Sequence, residues 1–167
     1  MDIGRTLRHW VTTPGSVRRA FPEAVLQRIR QAIVESEAMH SGEIRFAVEA
    51  ALPMSYLLRD APARERALMM FAKLRVWDTE HNNGVLIYVA LADHQIEIVA
   101  DRGVAPHVTV EEWNNVAAAM RDAFRARSFE AGAIVAVQAV GALLARHFPL
   151  AAGERNPNEL PDEPTVL

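Results

Sequence analysis

Residues 85–100 constrain the fold more than any other part of the chain. The run 85–91, Val-Leu-Ile-Tyr-Val-Ala-Leu, is wholly apolar, which is typical of a short strand buried on both faces. After Ala92-Asp93, residues 94–100 alternate between apolar and polar side chains and predict a second strand, nearer an edge of the sheet. The two segments therefore predict a β-hairpin at the centre of the fold.

The remaining elements surround this hairpin. Residues 22–39 show helical spacing of apolar side chains, and residues 43–52 alternate like a strand with one polar face. Helices are also predicted after Pro62, after a Thr109-to-Glu112 capping box and after Ser128. The order α-β-α-β-β-α-α favours an α/β fold, a three-layer α/β/α sandwich with a small mixed sheet. The first two strands should be parallel and the third antiparallel to the second.

The predicted domain organisation is one globular domain with two polar ends. Residues 22–149 form the α/β domain. Residues 1–21 carry four arginines against one aspartate and predict a mobile basic arm without a signal peptide, suited to contact with an anionic membrane surface. Residues 150–167, rich in proline and acidic residues, predict a disordered tail.

One helix is apolar enough to raise the question of a membrane span. Residues 131–145 are apolar nearly all round, but fifteen residues extend only about 22 Å, less than the hydrocarbon thickness of about 30 Å. Arg127 and Arg146 flank this segment. We interpret it as a core helix and expect a cytoplasmic protein; peripheral membrane association through the arm is the less favoured alternative.

Composition excludes several classes of function. The 167 residues contain no cysteine, so thiol nucleophiles, redox pairs and cysteine zinc sites are excluded. The net charge of −3 argues against a nucleic-acid partner, because such proteins normally carry a basic excess on one face. No recognised nucleophile motif or phosphate-binding loop occurs in the chain. Any chemistry would have to use oxygen ligands.

Oxygen-bearing side chains gather at one end of the predicted sheet. If Ala92-Asp93 is a two-residue turn, paired positions of the hairpin sum to 185, and Asp101 lies opposite Gly84. This brings together one set of residues, the loop corner: Asp78, Glu80, Asn82, Asn83 and Asp101. Carboxylate and amide oxygens suit a hard cation such as calcium. The structural alternative, that these residues stabilise a tight turn and pair with nearby arginines, is favoured on the residues alone.

Several short stretches of the chain resemble the TPM domain family, over roughly residues 22–149. They are Arg66-Ala67, Phe71-Ala72-Lys73-Leu74, Asn82-Asn83-Gly84-Val85-Leu86-Ile87, Ile96-Glu97-Ile98, Asp101-Arg102-Gly103, Trp113 and Phe129-Glu130-Ala131-Gly132. The chain is most similar to a short bacterial branch without a signal peptide or transmembrane segment. The resemblance implies an α/β/α sandwich, a divalent-cation site at the loop corner, calcium in some members, and an acid phosphatase activity attributed to a plant member.

Two functions remain open at this point. The favoured one is a non-enzymatic binding module that docks a protein partner, through the loop corner, where Arg102 also lies, or through the polar face of Glu43, Arg45 and Glu49. The alternative is a phosphatase-like hydrolase in which a cation held by Asp78, Glu80 and Asp101 activates water. We favour the module because no nucleophile or positioned base can be named. The oligomeric state is not predicted.

Overall fold

The computed structural model describes residues 2–167 of the chain, which contain seven helices and four strands. The helices are α1 Ile3–Val11, α2 Pro14–Ala20, α3 Glu23–Glu37, α4 Met54–Leu58, α5 Ala63–Lys73, α6 Val110–Arg125 and α7 Phe129–His147. The strands are β1 Glu43–Glu49, β2 Gly84–Ala90, β3 Gln95–Ala100 and β4 Thr165–Val166.

The strands form one mixed sheet in the order β3-β2-β1-β4. β1 runs parallel to β2, with Glu43 opposite Gly84, and β2 runs antiparallel to β3. In the hairpin Val85 lies opposite Ala100, which is the predicted register. The hairpin, its register and the parallel crossover are therefore confirmed.

Helices cover both faces of the sheet. On one face, α3, α6 and α7 contribute side chains such as Ile33 and Val140, which pack around Ile87 of β2. On the other face, α5 contributes Met70 to a smaller cluster around Tyr88. This arrangement is the predicted α/β/α sandwich, since the alternate side chains of each strand face opposite layers.

The capping box that predicts the start of α6 is present. The Glu112 backbone N–H donates to Thr109 Oγ1 at 3.2 Å, and the Thr109 N–H donates to Glu112 Oε2 at 2.9 Å. Each side chain thus satisfies a backbone donor of the other residue. The short helix α4 was not expected, because a single turn leaves no apolar periodicity to detect.

The N-terminal residues are not a separate arm. They form α1 and α2, and Val17 and Phe21 are buried in the main core. Arg5 and His9 bind Asp93 in the turn between β2 and β3. The prediction of a mobile arm is corrected, because it counted the arginines and overlooked the helical spacing of these two core residues.

The C-terminal residues also depart from the prediction of a disordered tail. Thr165 and Val166 form β4, which pairs in parallel with β1, and Leu160 is buried against the face of the sheet that α5 covers. Arg45 of β1 donates to the Pro161 carbonyl oxygen and, at 2.8 Å, to Thr165 Oγ1. The prediction was wrong because it used only the composition of the tail. Composition does not show that charged side chains of β1 form hydrogen bonds with the tail and hold it in place.

One helix in the part of the chain described here, α7, meets the length and apolarity criteria for a membrane span, which core helices of soluble proteins also meet. Its residues Ala133, Ala136, Val137, Val140 and Leu144 belong to the main core. α7 therefore packs as the predicted core helix, between α3 and α6.

Candidate functional site

The predicted loop corner forms where β2 begins and β3 ends. The Asp101 N–H donates to the Gly84 carbonyl oxygen at 2.9 Å, and the Gly103 N–H donates to the Asn82 carbonyl oxygen at 2.9 Å. Asp101 therefore lies opposite Gly84, as the hairpin register predicts. These bonds hold the loop after α5 against the segment after β3.

Two glycines permit this close approach. A Cβ atom at Gly84 would lie 2.1 Å from the Val76 carbonyl oxygen. A Cβ atom at Gly103 would lie 2.5 Å from the carbonyl oxygens of both His81 and Asn82. Both distances are shorter than any van der Waals contact, so the backbone geometry of the corner requires glycine at each position.

Asn83 is fully buried and positions the start of β2. Its backbone N–H donates to Thr79 Oγ1 at 3.1 Å, and its Nδ2 donates to the Ser41 carbonyl oxygen at 2.9 Å. Its Oδ1 has no hydrogen-bond partner among the described residues. Asn83 precedes Gly84, so strand alternation directs its side chain to the face opposite that of Asp101. The two side chains share an end of the sheet rather than a face.

Asp101 is the buried carboxylate of the corner. It is only 8 % exposed; its Oδ1 accepts from the Arg102 N–H at 2.7 Å, and its Oδ2 is buried without a hydrogen-bond partner among residues 2–167. None of the salt bridges within this range includes Asp101. A buried carboxylate normally requires a cation or several donors. Asp101 therefore has the capacity to ligate a cation.

The other three predicted ligands lie at the surface of the loop. Asp78 forms an ion pair with Arg75 at 2.8 Å, and Asn82 Oδ1 accepts from Arg102 Nε at 2.8 Å. Glu80 is exposed, and its backbone N–H donates to Glu159 Oε1 of the tail at 2.8 Å. The contacts of Asp78 and Asn82 with arginines agree with the structural alternative, in which the corner residues stabilise a turn and pair with nearby arginines. No group of three or more acidic or histidine side chains within residues 2–167 is arranged to hold a metal ion.

The polar face of β1 that we predicted to dock a partner is buried. Glu43, Arg45 and Glu49 are 0 %, 6 % and 5 % exposed. Arg45 is held by the tail, and Glu49 Oε2 accepts from Arg66 Nε of α5 at 2.8 Å and from the Tyr88 hydroxyl. The prediction of a docking face is corrected: the partners of this face are segments of the same chain.

Sequence reasoning missed a buried acidic cluster beneath the tail. Burial raises the pKa of Glu37 to about 9 and that of Glu43 to about 7, and the nearby carboxylate of Asp162 adds to both increases. Glu37 Oε1 accepts from the Ile44 N–H at 2.7 Å, and Glu43 Oε2 accepts from the Leu160 N–H at 3.1 Å. The sequence contained one signal for this cluster: Glu37 follows Ser36, which helical spacing places on the buried face of α3.

Comparisons with known proteins agree with this fold. The family model for the TPM domain matches residues 18–143. The chain is similar to the BA42 protein of the psychrophilic bacterium Bizionia argentinensis, solved by NMR, with a TM-score of 0.74 and 28% sequence identity. That match covers 86% of this chain and 93% of BA42. Comparison with curated proteins gives no match. Since the family model spans well over half of the residues, the chain belongs to the TPM domain family.

Proposed function

We propose that the protein is a non-enzymatic binding module whose loop corner binds a divalent cation, calcium being the best fit. The observation that carries this proposal is the Asp101 carboxylate, which is buried, lacks an ion-pair partner among the described residues and has a free Oδ2. A hard cation would satisfy this oxygen and neutralise the charge.

In this proposal the further oxygens of the site come from the loop after α5, whose side chains would have to move towards Asp101. Asp78 and Glu80 are both within this loop, and the carbonyl oxygens of His81 and Asn82 converge on Gly103, two residues after Asp101. Calcium accepts six to eight oxygen ligands in flexible geometry, including backbone carbonyls and water. In this proposal Asp101 is the buried anchor, and Asn83 holds the start of β2 in place.

Calorimetric titration with calcium chloride tests the site. With one buried carboxylate we expect weak binding, with a dissociation constant on the order of 0.1–1 mM. The Asp101→Asn variant should lose the binding heat, whereas Asp122→Asn, which changes an exposed aspartate of α6, should bind like the unmodified protein. The absence of heat at millimolar calcium, or equal binding by Asp101→Asn, would contradict the proposal.

The hydrolase alternative is distinguished by activity. Purified protein should not hydrolyse a phosphate ester such as p-nitrophenyl phosphate, with or without calcium. If it does, and if Asp101→Asn abolishes that hydrolysis while circular dichroism shows an unchanged fold, the module proposal is wrong. In that case the cation would polarise the phosphoryl oxygen.

A second candidate function, contact with an anionic membrane surface, comes from α1. The polar face of this helix, with Arg5 and His9, is bound to the domain through Asp93. Its apolar face points outward: Ile3, Leu7, Trp10 and Val11 are 60–79 % exposed. This orientation is the reverse of that of an ordinary surface helix, whose apolar face packs on the core.

The charges beside this face favour a lipid surface as its occupant. Arg8 flanks the apolar face of α1, Arg18 of α2 follows closely, and both are exposed. Neither has an acidic partner in the described part of the chain. Interfacial helices combine an apolar face containing Trp or Leu with nearby arginines that attract anionic headgroups.

Sedimentation with lipid vesicles tests this contact. The protein should sediment with vesicles that contain phosphatidylglycerol and stay in solution with vesicles of pure phosphatidylcholine. Trp10→Gln should abolish sedimentation, and Trp77→Gln, at a half-exposed tryptophan after α5, should not. If light scattering instead shows a dimer that Trp10→Gln dissociates, the face is a contact between two copies and the membrane proposal fails.

A further inference from the structure

An open groove runs along the end of the sheet opposite the loop corner. It lies between α2, the turn of the β2–β3 hairpin and the junction of α6 with α7. Two hollows of about 740 and 690 Å³ make up the groove, and they share Arg19, Ala20, Arg127 and Phe129. The two hollows adjoin at these residues and are both open to solvent, and together they are called the groove here.

The groove is strongly basic. Arg19, Arg125 and Arg127 line it, and a small adjoining recess adds Arg121. Within residues 2–167, Arg125 alone of these has an acidic partner, the exposed Asp122. The remaining guanidinium groups are therefore available to an anionic ligand, and arginine binds carboxylates through two parallel hydrogen bonds.

The lining of the groove contains few acidic side chains that could neutralise the positive charge of the arginines. Among the described residues Glu130 alone is acidic in the lining of the two large hollows. Its carboxylate is already bound by Arg28 of α3, whose Nη2 lies 2.7 Å from Oε2. The electrostatic potential of the groove is thus positive and is set mainly by Arg19 and Arg127.

The backbone conformation of Arg127 provides a substitution that removes its side chain without straining the fold. Arg127 has φ +58° at the position after the C-cap of α6, where glycine is the usual residue. The Arg127 N–H donates to the Phe124 carbonyl oxygen, and the Ser128 N–H donates to the Ala123 carbonyl oxygen, each at 2.9 Å, as in a Schellman motif. Arg75 has the same conformation at the position after the C-cap of α5, so this geometry is a recurrent helix end in the chain, and glycine would fit it with less strain.

The floor and one end of the groove offer two further features. Phe124 and Phe129 are half-buried, their rings are 5.0 Å apart, and both pack on the buried Phe21. This aromatic cluster is a rigid apolar surface. At the end of the groove lies the start of α7, whose N-cap residue, Ser128, makes no side-chain capping hydrogen bond. The first N–H groups of this long helix are therefore open to an acceptor.

We infer that this groove binds an extended, acidic peptide segment of a partner protein. Aspartate and glutamate carboxylates would pair with Arg19 and Arg127, and an apolar side chain would lie on the phenylalanine floor. A phosphate-sized anion would fill only a small part of the two hollows of about 740 and 690 Å³, whereas an extended segment would occupy both and pass Arg19 and Arg127 where they adjoin. The inference does not depend on the cation site, which lies about 20 Å away at the other end of β2.

Fluorescence anisotropy with synthetic peptides tests the inference on the full-length chain. The probe is a fluorescein-labelled peptide in which Asp and Glu alternate with Leu and Phe; the matched peptide has Asn and Gln in place of the acids. The acidic peptide should bind at least about tenfold more tightly, and added sodium chloride should weaken its binding.

Substitutions locate the binding in the groove. Arg19→Gln and Arg127→Gly should each weaken binding of the acidic peptide by about five- to tenfold. Arg18→Gln removes the same charge from the neighbouring residue of α2, which does not line the groove, and should change binding less than about twofold. Arg127→Gly also relieves the positive φ and should unfold at the same temperature or higher, so lost binding cannot be attributed to lost folding.

Three results would overturn the inference. The first is equal binding of the acidic and neutral peptides. The second is an Arg127→Gly variant that binds the acidic peptide as tightly as the unmodified protein. The third is inorganic pyrophosphate binding as tightly as the acidic peptide and displacing it, which would identify the ligand as a compact anion.

Discussion

Nε2 of His9 lies 2.8 Å from Oδ1 of Asp93, although 84 residues separate them in the chain. Arg5 binds the same carboxylate, with Nη2 2.7 Å from Oδ2, and Leu52 donates its backbone N–H to Nδ1 of His9 at 2.9 Å. One aspartate in a hairpin turn thus holds the N-terminal helix on the domain. This contact keeps the apolar face of α1 turned outward.

The first prediction concerns this anchor. Asp93→Asn should release α1, because Arg5 and His9 lose the charged acceptor that both contact. We expect the free energy of local opening of α1 to fall by about 2 kcal/mol, typical of hydrogen bonds to a charged group. Hydrogen exchange of the α1 amides measures this, with Asp122→Asn as the control. Equal protection of α1 in both variants would contradict the prediction.

The same anchor should fail in acid. Burial alone raises the pKa of Asp93, but the hydrogen bonds from Arg5 and His9 outweigh this effect and leave it below the ordinary value of 3.8. A carboxylate with a lowered pKa stabilises the folded state above its unfolded value, and this contribution is lost as pH falls through the folded value. Protection factors of the α1 amides, which correct for the pH dependence of intrinsic exchange, should therefore stay high at pH 5 and fall below about pH 4. Release of α1 above pH 5 would show that another group controls the contact.

The third prediction concerns the buried ion pair of Glu49 and Arg66. Glu49→Gln leaves the Arg66 guanidinium buried against a neutral amide, and it weakens the hydrogen bond that the Tyr88 hydroxyl donates. Breaking a buried pair in this way typically destabilises a protein by about 3–5 kcal/mol. Urea denaturation measures the change, and Glu65→Gln, which breaks the exposed pair with Arg59, should have little effect. A small effect of Glu49→Gln would show that water reaches Arg66.

The fourth prediction is a loss of stability at alkaline pH. The folded-state pKa of about 9 for Glu37 exceeds its ordinary value of 4.5, so the folded state binds the proton more tightly than the unfolded state. The contribution of Glu37 to the free energy of unfolding is complete below about pH 4.5 and is lost as pH rises through 9. Between pH 7 and 9 the free energy of unfolding should fall by roughly 2 kcal/mol.

Urea denaturation at several pH values checks the contribution of Glu37. Glu37→Gln should flatten the alkaline decline, because the amide has no proton to lose. Glu35→Gln, at an exposed position of the same helix, should leave the decline unchanged. If both variants decline like the unmodified protein, a group other than Glu37 causes the loss.

The fifth prediction concerns the glycine at the start of β2. Gly84→Ala would place a Cβ atom 2.1 Å from the Val76 carbonyl oxygen, so the loop or the strand must move. We expect a destabilisation of about 3 kcal/mol or more, together with loss of any calcium binding at the adjoining corner. Gly15→Ala, where the nearest atom would lie 3.4 Å away, is the control and should fold normally. An unchanged melting temperature for Gly84→Ala would contradict the packing described here.

Local sequence patterns were sufficient for the central sheet and the main helices. The apolar run of β2, the two-residue turn and the alternation in β3 together fixed the hairpin register, because a shift of one residue would turn every side chain to the other face. The same register placed Asp101 opposite Gly84 at the loop corner. It did not reveal that Asp101 is buried, or that the Oδ2 atom of Asp101 has no partner among the described residues.

The two ends of the chain were misjudged for a shared reason. One end is rich in arginine, and the other is rich in acidic residues and proline. Such a composition indicates that a segment is compatible with solvent, but it does not show which contacts a particular side chain makes. His9 and Arg5 are ordered by Asp93, and the tail is ordered by Glu43 and Arg45 of β1. Each of these contacts joins residues far apart in the chain, which no local pattern can reveal.

By itself, the sequence determined the α/β/α architecture, the hairpin register and the absence of any thiol chemistry, because these depend on local periodicity and on residue types. Only the tertiary structure decided that the polar face of β1 is covered by the tail, that α1 turns its apolar face outward, and that Arg19 and Arg127 line one groove. These features arise when distant segments pack together. Burial and charge pairing depend on that packing, and periodicity carries no information about it.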